Sequence, residues 1–225
     1  MRTNTVINLS SKKQEEDLGL ALKATIARLE QKHRLYFSHE SIYHIKDLVR
    51  LLRSKFPQSA FEHVSENSSI RPDGGILSVL DKEGKKLPIL ISEVKGQGTN
   101  DQRAEEGLDK QSMGNAIERL GKNVIAFRML MAHEKIFPFV CFGSGCDFEP
   151  PSSILDRVAV IALFGKLNHV HLQDEKNIPG FKRGSFYFRN KKWSVEEMAD
   201  VMFEIADRSI DYYLAAYGAD SLLQQ

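Results

Sequence analysis

The amino-acid sequence predicts one α/β domain, residues 1–225, in which helices flank a mixed β-sheet. Apolar residues recur every three or four positions in four long segments, and this is the spacing of amphipathic helices. Three short apolar runs, at 76–80, 87–93 and 137–142, are bounded by turn residues and have the lengths of buried strands. The sequence contains no internal repeat and no low-complexity linker that would divide it into two domains.

The N-terminal part of the chain is predicted to be helical after a short arm. Residues 1–10 are expected to form this flexible arm. A first helix is predicted at 11–34, where leucine and isoleucine recur at helical spacing, and a second at 39–55, before Pro57. A short strand is predicted to follow at 60–64.

The centre of the sequence has the pattern of a β-hairpin. The two apolar runs at 76–80 and 87–93 flank a polar tract at 81–86, as two strands flank a slightly enlarged loop. After the second strand, the charged stretch at 96–113 has no periodicity. We interpret it as a loop, which either closes over a ligand or is simply solvated.

The C-terminal half is predicted to continue the alternation of helices and strands. A helix at 114–133 has an apolar stripe on one side, and the apolar run at 137–142 follows it as a buried strand. The last helix, 195–217, begins with a capping box formed by Ser194 and Glu197 and ends before a glycine. Weaker predictions lie between them: a helix or extended segment at 153–164 and short strands near 169–172 and 185–188.

Composition narrows the class of protein. Lys+Arg number 31 and Asp+Glu number 30, so the formal net charge is +1 and any contact with nucleic acid must come from local basic clusters. Cys141 and Cys146 are too few for a disulfide framework and make a poor zinc site. The N-terminus has no apolar signal segment, and no apolar run is long enough to span a membrane. We expect a soluble, cytoplasmic protein without a membrane partner.

Three charged residues around the hairpin form a candidate catalytic site. Asp73 precedes the first strand and is followed by Gly74 and Gly75, which allow the backbone or a ligand to approach closely. Glu93 and Lys95 are two positions apart on the second strand, so both side chains point to the same side of the sheet. Two carboxylates beside an ammonium suit a Mg²⁺ site that hydrolyses a phosphodiester. The alternative is a surface hairpin whose charges are only solvated.

A second polar cluster lies on the helix at 114–133. Asn115, Glu118, Arg119 and Lys122 have the spacing of one helix face, opposite the apolar stripe. Asn can bind adenine through two atoms, Glu accepts from an exocyclic amine, and Arg donates to purine N7. This face therefore has the chemistry needed to recognise base edges. The alternative is an ordinary solvated face.

Several sequence strings, in this order, closely resemble the EcoRI family of restriction endonucleases. Asp73, Glu93 and the polar helix face all lie within these strings. A looser resemblance covers 154–157 and 202–205. The matching strings are NSSIRPDGG at 67–75, SEVKGQG at 92–98, GNAIER at 114–119 followed by Lys122 and Asn123, and FPFV at 137–140.

The resemblance implies a fold and a role for each group of residues. The fold would be a restriction-endonuclease-like core, a mixed five-stranded sheet flanked by helices. Asp73 and Glu93 would bind Mg²⁺ as the cofactor, and Lys95 would be the catalytic lysine. Residues implied in base recognition are Asn115, Glu118 and Arg119 for the adenines of AATT, Arg157 for an outer guanine, and Ser112 and Met113 where the family has small apolar residues that touch pyrimidines. Residues implied in phosphate contacts are Asn67, Ser68, Ser69, Arg71 and Lys122.

The function implied is that of a type II restriction endonuclease. It would act as a homodimer on double-stranded DNA and cut a palindrome that contains AATT, leaving 5′-phosphate and 3′-hydroxyl ends with 5′ AATT overhangs. GAATTC is the favoured site, with RAATTY and AATT left open. A cognate DNA methyltransferase is expected to act on the same site without binding this protein. Two alternatives are a structure-directed DNA repair nuclease and an inactive DNA-binding regulator on the same fold.

Overall fold

A computed structural model describes residues 6–58, 67–96, 115–150, 153–161, 166–173 and 183–225, together with Glu105, Gly107 and Asp109. The described elements alternate between helices and strands, as an α/β protein requires. The helices are α1 (Val6–His33), α2 (Ile45–Lys55), α3 (Asn115–Leu130), α4 (Ser153–Ile161) and α5 (Val195–Tyr217). The strands are β1 (Phe37–Glu40), β2 (Tyr43–His44), β3 (Ser69–Ile70), β4 (Ile76–Leu80), β5 (Lys86–Gly96), β6 (Phe139–Ser144) and β7 (Ser185–Arg189).

The main sheet is mixed and has five strands in the order β1-β4-β5-β6-β7. Strands β1, β4 and β5 are antiparallel, whereas β5, β6 and β7 run parallel. Strand β5 lies at the centre, where Lys95 pairs with Gly143 of β6. Because β5 and β6 are parallel, their carboxyl ends meet at the same edge of the sheet. A small second sheet pairs β2 with β3.

Helices α1 and α5 pack together and against β5. Their contact side is apolar: Leu18 and Leu29 of α1 and Met202 and Ile210 of α5 are fully buried. Burying a side chain of this size contributes about 1.5–3 kcal/mol. Helices α3 and α4 contact each other, and α3 lies on the side of the sheet to which Glu93 points, because Asn123 of α3 bonds to Glu93.

Local chemistry explains the hairpin and the last helix. The Asp81 carboxylate closes the hairpin loop by accepting from the backbone N–H groups of Glu83 at 2.9 Å and Lys85 at 2.7 Å. In the capping box of α5, the Ser194 hydroxyl accepts from the Glu197 N–H at 3.2 Å, and the Glu197 carboxylate accepts from the Ser194 N–H at 2.9 Å. Both features were predicted from the sequence, and both are confirmed.

The apolar stripe predicted for the helix at 114–133 is confirmed. Ile117, Leu120, Val124 and Phe127 are buried in α3, and Met131 is buried just after the helix ends at Leu130. The predicted strand at 137–142 begins two residues later, as β6. The predicted α/β class and mixed five-stranded sheet are also confirmed.

Two predictions about where helices begin are wrong. Residues 6–10 are not a flexible arm, because α1 already begins at Val6, and these five residues include no proline or glycine. The helix predicted at 39–55 begins only at Ile45, since residues 37–40 pair with β4 at the edge of the sheet. Pairing with a neighbouring strand here overrides the local helical spacing.

The segment at 169–172, predicted to be a strand, is not one. The chain turns just before it, at Asn168, which has a positive φ of 60°, and the bridge from Ile136 joins Gln173, just after it. The segment at 153–164 is helical over its described part, Ser153–Ile161, and a strand is present at 185–189. The strand predicted at 60–64 lies outside the described residues. Of the helices that the structure describes, none is long and apolar enough to cross a membrane.

Candidate active site

A tight turn before β4 places Asp73 against the central strand. The Gly75 N–H donates to the Pro72 carbonyl at 2.9 Å, and the Gly74 N–H donates to the Ser92 carbonyl of β5 at 2.9 Å. Gly75 has a φ of +76°, and a Cβ there would lie 2.7 Å from the Glu40 carbonyl oxygen. The close approach and the left-handed backbone both require glycine. The glycine pair that follows Asp73 in the sequence thus brings its carboxylate to β5.

Strand β5 supplies the other two charged residues. Glu93 and Lys95 point to the same side of the sheet, as their spacing predicts. The Lys95 ammonium lies 2.6 Å from Glu93 Oε1 and 2.8 Å from Asp73 Oδ2. The structure therefore brings all three predicted catalytic residues into direct contact, although Asp73 is twenty positions away from Glu93 in the chain.

Backbone groups fix the two carboxylates further. The Val94 N–H donates to Asp73 Oδ2 at 3.1 Å, and the Asp73 N–H donates to Glu93 Oε2 at 3.3 Å. The Lys95 ammonium also donates to the Val94 carbonyl at 3.0 Å. Each carboxylate thus accepts from the strand or turn that carries its neighbour. This reciprocal arrangement limits how far either side chain can turn.

The cluster is buried enough for its charges to interact strongly. The Glu93 side chain is 2% exposed and that of Lys95 is 15% exposed. Burial raises the pKa of Glu93, although the Lys95 charge opposes this. Burial alone would lower the pKa of Lys95, but the charges of Glu93 and Asp73 outweigh that effect and raise it above its usual value. Lys95 is therefore cationic at neutral pH and holds the two carboxylates together.

The ligand atoms of the cluster fit a hard divalent cation. Asp73 and Glu93 present carboxylate oxygens on one side of the sheet, and Mg²⁺ prefers oxygen ligands. Within the part of the chain that the structure describes, no group of three or more His, Cys, Asp or Glu side chains could hold a metal. Mg²⁺ typically keeps several waters and takes only one or two protein carboxylates. Two carboxylates are therefore sufficient for this ion.

Helix α3 presents a charged face beside the cluster. The side chains of Glu118, Arg119 and Lys122 are all exposed. Asn115 is the first residue of α3, but its side chain is outside the described part of the structure, as are Ser112 and Met113. The exposure of this face agrees with the prediction from its spacing. Base recognition and simple solvation both require that exposure.

The residues predicted to contact phosphates fall into two places. Asn67, Ser68, Ser69 and Arg71 lie on β3 or beside it, in the segment that leads into Asp73. Asn67 and Arg71 are exposed, whereas both serines are half-buried. Lys122 is exposed on α3, away from this segment in the chain. The first four residues therefore directly precede the turn that carries Asp73.

Arg157 lies apart from these groups, on α4. Its side chain is exposed, and α4 contacts α3. Its helix is therefore a neighbour of the helix that carries Glu118 and Arg119.

Three residues near the site had no role predicted from the sequence. Asn123 of α3 donates to Glu93 Oε1 at 3.0 Å. The His39 Nε2 atom lies 3.0 Å from the Gly74 carbonyl oxygen. Gln14 of α1 donates to Ser144 Oγ at 2.9 Å, at the carboxyl end of β6. Asn123 could have been found by its spacing, since it follows Arg119 by four positions and so lies on the same side of the helix. His39 and Gln14 have no such signal.

Comparison with known proteins agrees with this geometry. The family model described as restriction endonuclease EcoRI matches residues 2–153, which include Asp73, Glu93, Lys95, Glu118 and Arg119. The chain is 31% identical over 198 residues to the type II restriction enzyme RsrI of Cereibacter sphaeroides, covering 73% of this chain and 72% of that enzyme. It is 30% identical over 180 residues to the type II restriction enzyme EcoRI of Escherichia coli, covering 64% and 65%. The chain therefore belongs to the EcoRI restriction endonuclease family, and it is a type II restriction enzyme, a site-specific deoxyribonuclease.

Proposed function

We propose that this enzyme hydrolyses both strands of a palindrome containing AATT, with Asp73, Glu93 and Lys95 at the reacting phosphate. The observation that carries the proposal is the contact of the Lys95 ammonium with both carboxylates, at 2.6 and 2.8 Å. Three charged groups from a turn and a strand converge on one point, and a solvated surface hairpin would not require this. The two relatives named as type II restriction enzymes support the same reaction.

Asp73 and Glu93 would hold Mg²⁺, which would activate the attacking water and stabilise charge on the phosphate. The protein's own residues do the rest. The backbone bonds from Val94 and Asp73 keep both carboxylates oriented toward the same point. Lys95 donates to a phosphate oxygen and offsets its developing charge, or orients the attacking water. Hydrolysis would leave a 5′-phosphate and a 3′-hydroxyl.

Helix α3 would provide base recognition. Asn115, Glu118 and Arg119 would contact the adenines of AATT, and their residue types suit base edges. Arg157 on α4, with Ser112 and Met113 before α3, would determine the outer positions, for which GAATTC is the favoured sequence and RAATTY and AATT are the others. Asn67, Ser68, Ser69, Arg71 and Lys122 would contact phosphates, which position the protein without adding sequence information.

We also propose that the enzyme is a homodimer. A palindromic site has two-fold symmetry, and a two-fold symmetric protein matches it with one site per strand. Ile125 would be a contact in this assembly, since 63% of its surface is accessible and it lies on α3 beside the proposed recognition residues. Cuts on either side of AATT would give 5′ AATT overhangs. A methyltransferase that modifies the same site would protect the host DNA without binding this protein.

A single incubation separates this proposal from its alternatives. Plasmid DNA is mixed with the protein and Mg²⁺ and then examined on a gel. We expect discrete fragments with Mg²⁺, none in EDTA, and none with Asp73→Ala or Glu93→Ala, because losing one of two carboxylates leaves the metal poorly held. Cleavage confined to branched substrates would indicate a repair nuclease, and no cleavage of any substrate would indicate an inactive regulator. Normal cutting in EDTA would contradict the metal mechanism.

A further inference from the structure

Asn123 connects helix α3 to the carboxylate of Glu93. Its Nδ2 atom donates to Glu93 Oε1 at 3.0 Å, and the same oxygen lies 2.6 Å from the Lys95 ammonium. The Asp73 N–H donates to the other oxygen at 3.3 Å. The turn, the strand and the helix thus each supply one of these three donors. The bond from Asn123 is the one that comes from the helix.

The position of Asn123 on α3 relates it to the proposed recognition residues. Arg119 precedes it by four positions, which is one helical turn and about 6 Å along the axis. The adjoining side of the helix is buried through Ile117, Leu120 and Val124, so α3 is held as one unit against the sheet. A shift of α3 on contact with bases therefore also moves the Asn123 amide.

We propose that Asn123 is a positioning residue that orients the Glu93 carboxylate, and that it makes catalysis depend on how α3 contacts the DNA. This inference rests on the proposed function, in which Glu93 binds the metal and α3 contacts the bases. An amide suits this role, because it donates to a carboxylate without cancelling its charge. Each carboxylate oxygen has two lone pairs, so Oε1 accepts from both Asn123 and Lys95, while Oε2, which accepts from the Asp73 N–H, keeps a lone pair for another group.

The loss of activity expected when Asn123 is replaced can be judged from other residues that orient a metal ligand. Residues that orient a metal ligand typically change metal affinity or activity by roughly 10–100-fold when they are removed. A loss of this size at Asn123 would be smaller than the loss expected at a metal ligand itself. Replacing Asn123 should also slow cleavage at the recognised sequence more than it slows the cleavage of altered sites, which is already slow.

The test compares Asn123→Ala and Asn123→Leu with the wild-type enzyme. Both substitutes have higher helix propensity than asparagine, so α3 should form in each. Leucine keeps the branched shape of asparagine but has no donor. Asn190→Ala is the matched control, because Asn190 is an exposed asparagine just after β7, away from α3. Each protein is assayed for binding of a duplex containing the recognised site without divalent cations, and for single-turnover cleavage over a Mg²⁺ titration.

We expect both Asn123 variants to bind the metal-free duplex like the wild type and to cleave it roughly 10–100-fold more slowly, with a higher Mg²⁺ requirement. The ratio of the cleavage rates for the recognised duplex and a duplex with one altered base pair should fall. Wild-type rates in both variants would overturn the proposal. A wild-type cleavage rate in Asn123→Leu alone would also overturn it, because the side chain would then act only through its packing. An equal loss of metal-free DNA binding would overturn it too, because Asn123 would then contact the DNA directly. A wild type that cuts no DNA would contradict the proposed function itself.

Discussion

At the scale of single residues, the site depends on one ammonium placed between two carboxylates. Lys95 contacts Asp73 and Glu93, and each of the three side chains is at most 22% exposed. Without the lysine, two negative charges would face each other in a poorly solvated place. The cluster lies near the carboxyl end of β5, and we have proposed that the same ammonium contacts the reacting phosphate. We therefore expect Lys95 to act in the reaction rather than in DNA binding.

The first prediction concerns Lys95→Ala. Cleavage should fall by at least about 100-fold, as it does when one group that stabilises developing charge is removed. Specific DNA binding should remain, because the proposed recognition residues lie on α3. Lys86→Ala is the control, since Lys86 begins the same strand and pairs with Glu40 instead. Single-turnover cleavage and gel-shift binding are measured in parallel. A variant whose specific binding falls as far as its cleavage would count against this role.

The sequence revealed some of these residues and not others. The spacing of Glu93 and Lys95 already places both on one side of a strand. The glycines after Asp73 suggested a close approach, but the partner that they approach, Ser92 of β5, depends on the tertiary fold. His39 contacts the turn that carries Asp73, at Gly74, only because β1 pairs with β4. Contacts between distant segments have no periodicity, so local patterns could not predict them.

At the scale of elements, the strongest local signals were confirmed, and of the weaker ones the helix at 153–161 and the strand at 185–189 formed, whereas the strand at 169–172 did not. The hairpin of β4 and β5 and the capped helix α5 carry their own turn and cap residues, so each could be recognised alone. The helix predicted at 39–55 loses its first residues, His39 and Glu40, to β1, because the edge of the sheet provides a hydrogen-bonding partner. Tertiary neighbours therefore influence where an element begins and ends more strongly than they influence whether it forms.

The second prediction separates two kinds of DNA-binding residue on α3. Glu118→Gln and Arg119→Lys should each cost about 1–3 kcal/mol of discrimination, because neither substitute reproduces the original donors and acceptors. Lys122→Ala should weaken binding to all sequences about equally and reduce the salt slope by about 0.9 for each phosphate that the lysine neutralises. Binding constants are measured at several salt concentrations on recognised and altered duplexes. Equal behaviour of the three variants would contradict the division of this face into base-reading and phosphate-binding residues.

At the scale of the whole molecule, net charge affects how strongly the enzyme is attracted to DNA, and the proposed two-fold symmetry affects how both strands are cut. The net charge is only +1, so long-range attraction to DNA is weak and we expect binding to rely on local cations, for which we have proposed Arg71, Arg119 and Lys122. The proposed dimer would double the number of these cations on a palindrome and place one cluster of Asp73, Glu93 and Lys95 at each strand. Assembly and cleavage of both strands are thus expected to depend on each other.

The third prediction concerns the dimer. Ile125→Asp should weaken association, because it places a charge on the exposed apolar side chain nearest the proposed recognition residues. Sedimentation velocity should show a shift from dimer to monomer, and plasmid cleavage should become slower and leave more nicked product. Leu20→Asp is the control, since Leu20 is similarly exposed but lies on α1, across the sheet. A wild type that sediments as a monomer, or a fully dimeric Ile125→Asp, would contradict the proposed interface.

The central claim is that a Mg²⁺-dependent cluster of Asp73, Glu93 and Lys95 cuts DNA at a palindrome chosen by α3. It is tested most directly by digesting a duplex library randomised around AATT, together with one randomised throughout, and sequencing every end produced. We predict that each cut occurs at an AATT sequence, with 5′-phosphate overhangs of those four bases, and that the flanking positions define the outer pair. Efficient cuts at sequences without AATT, or ends of another polarity, would contradict the account.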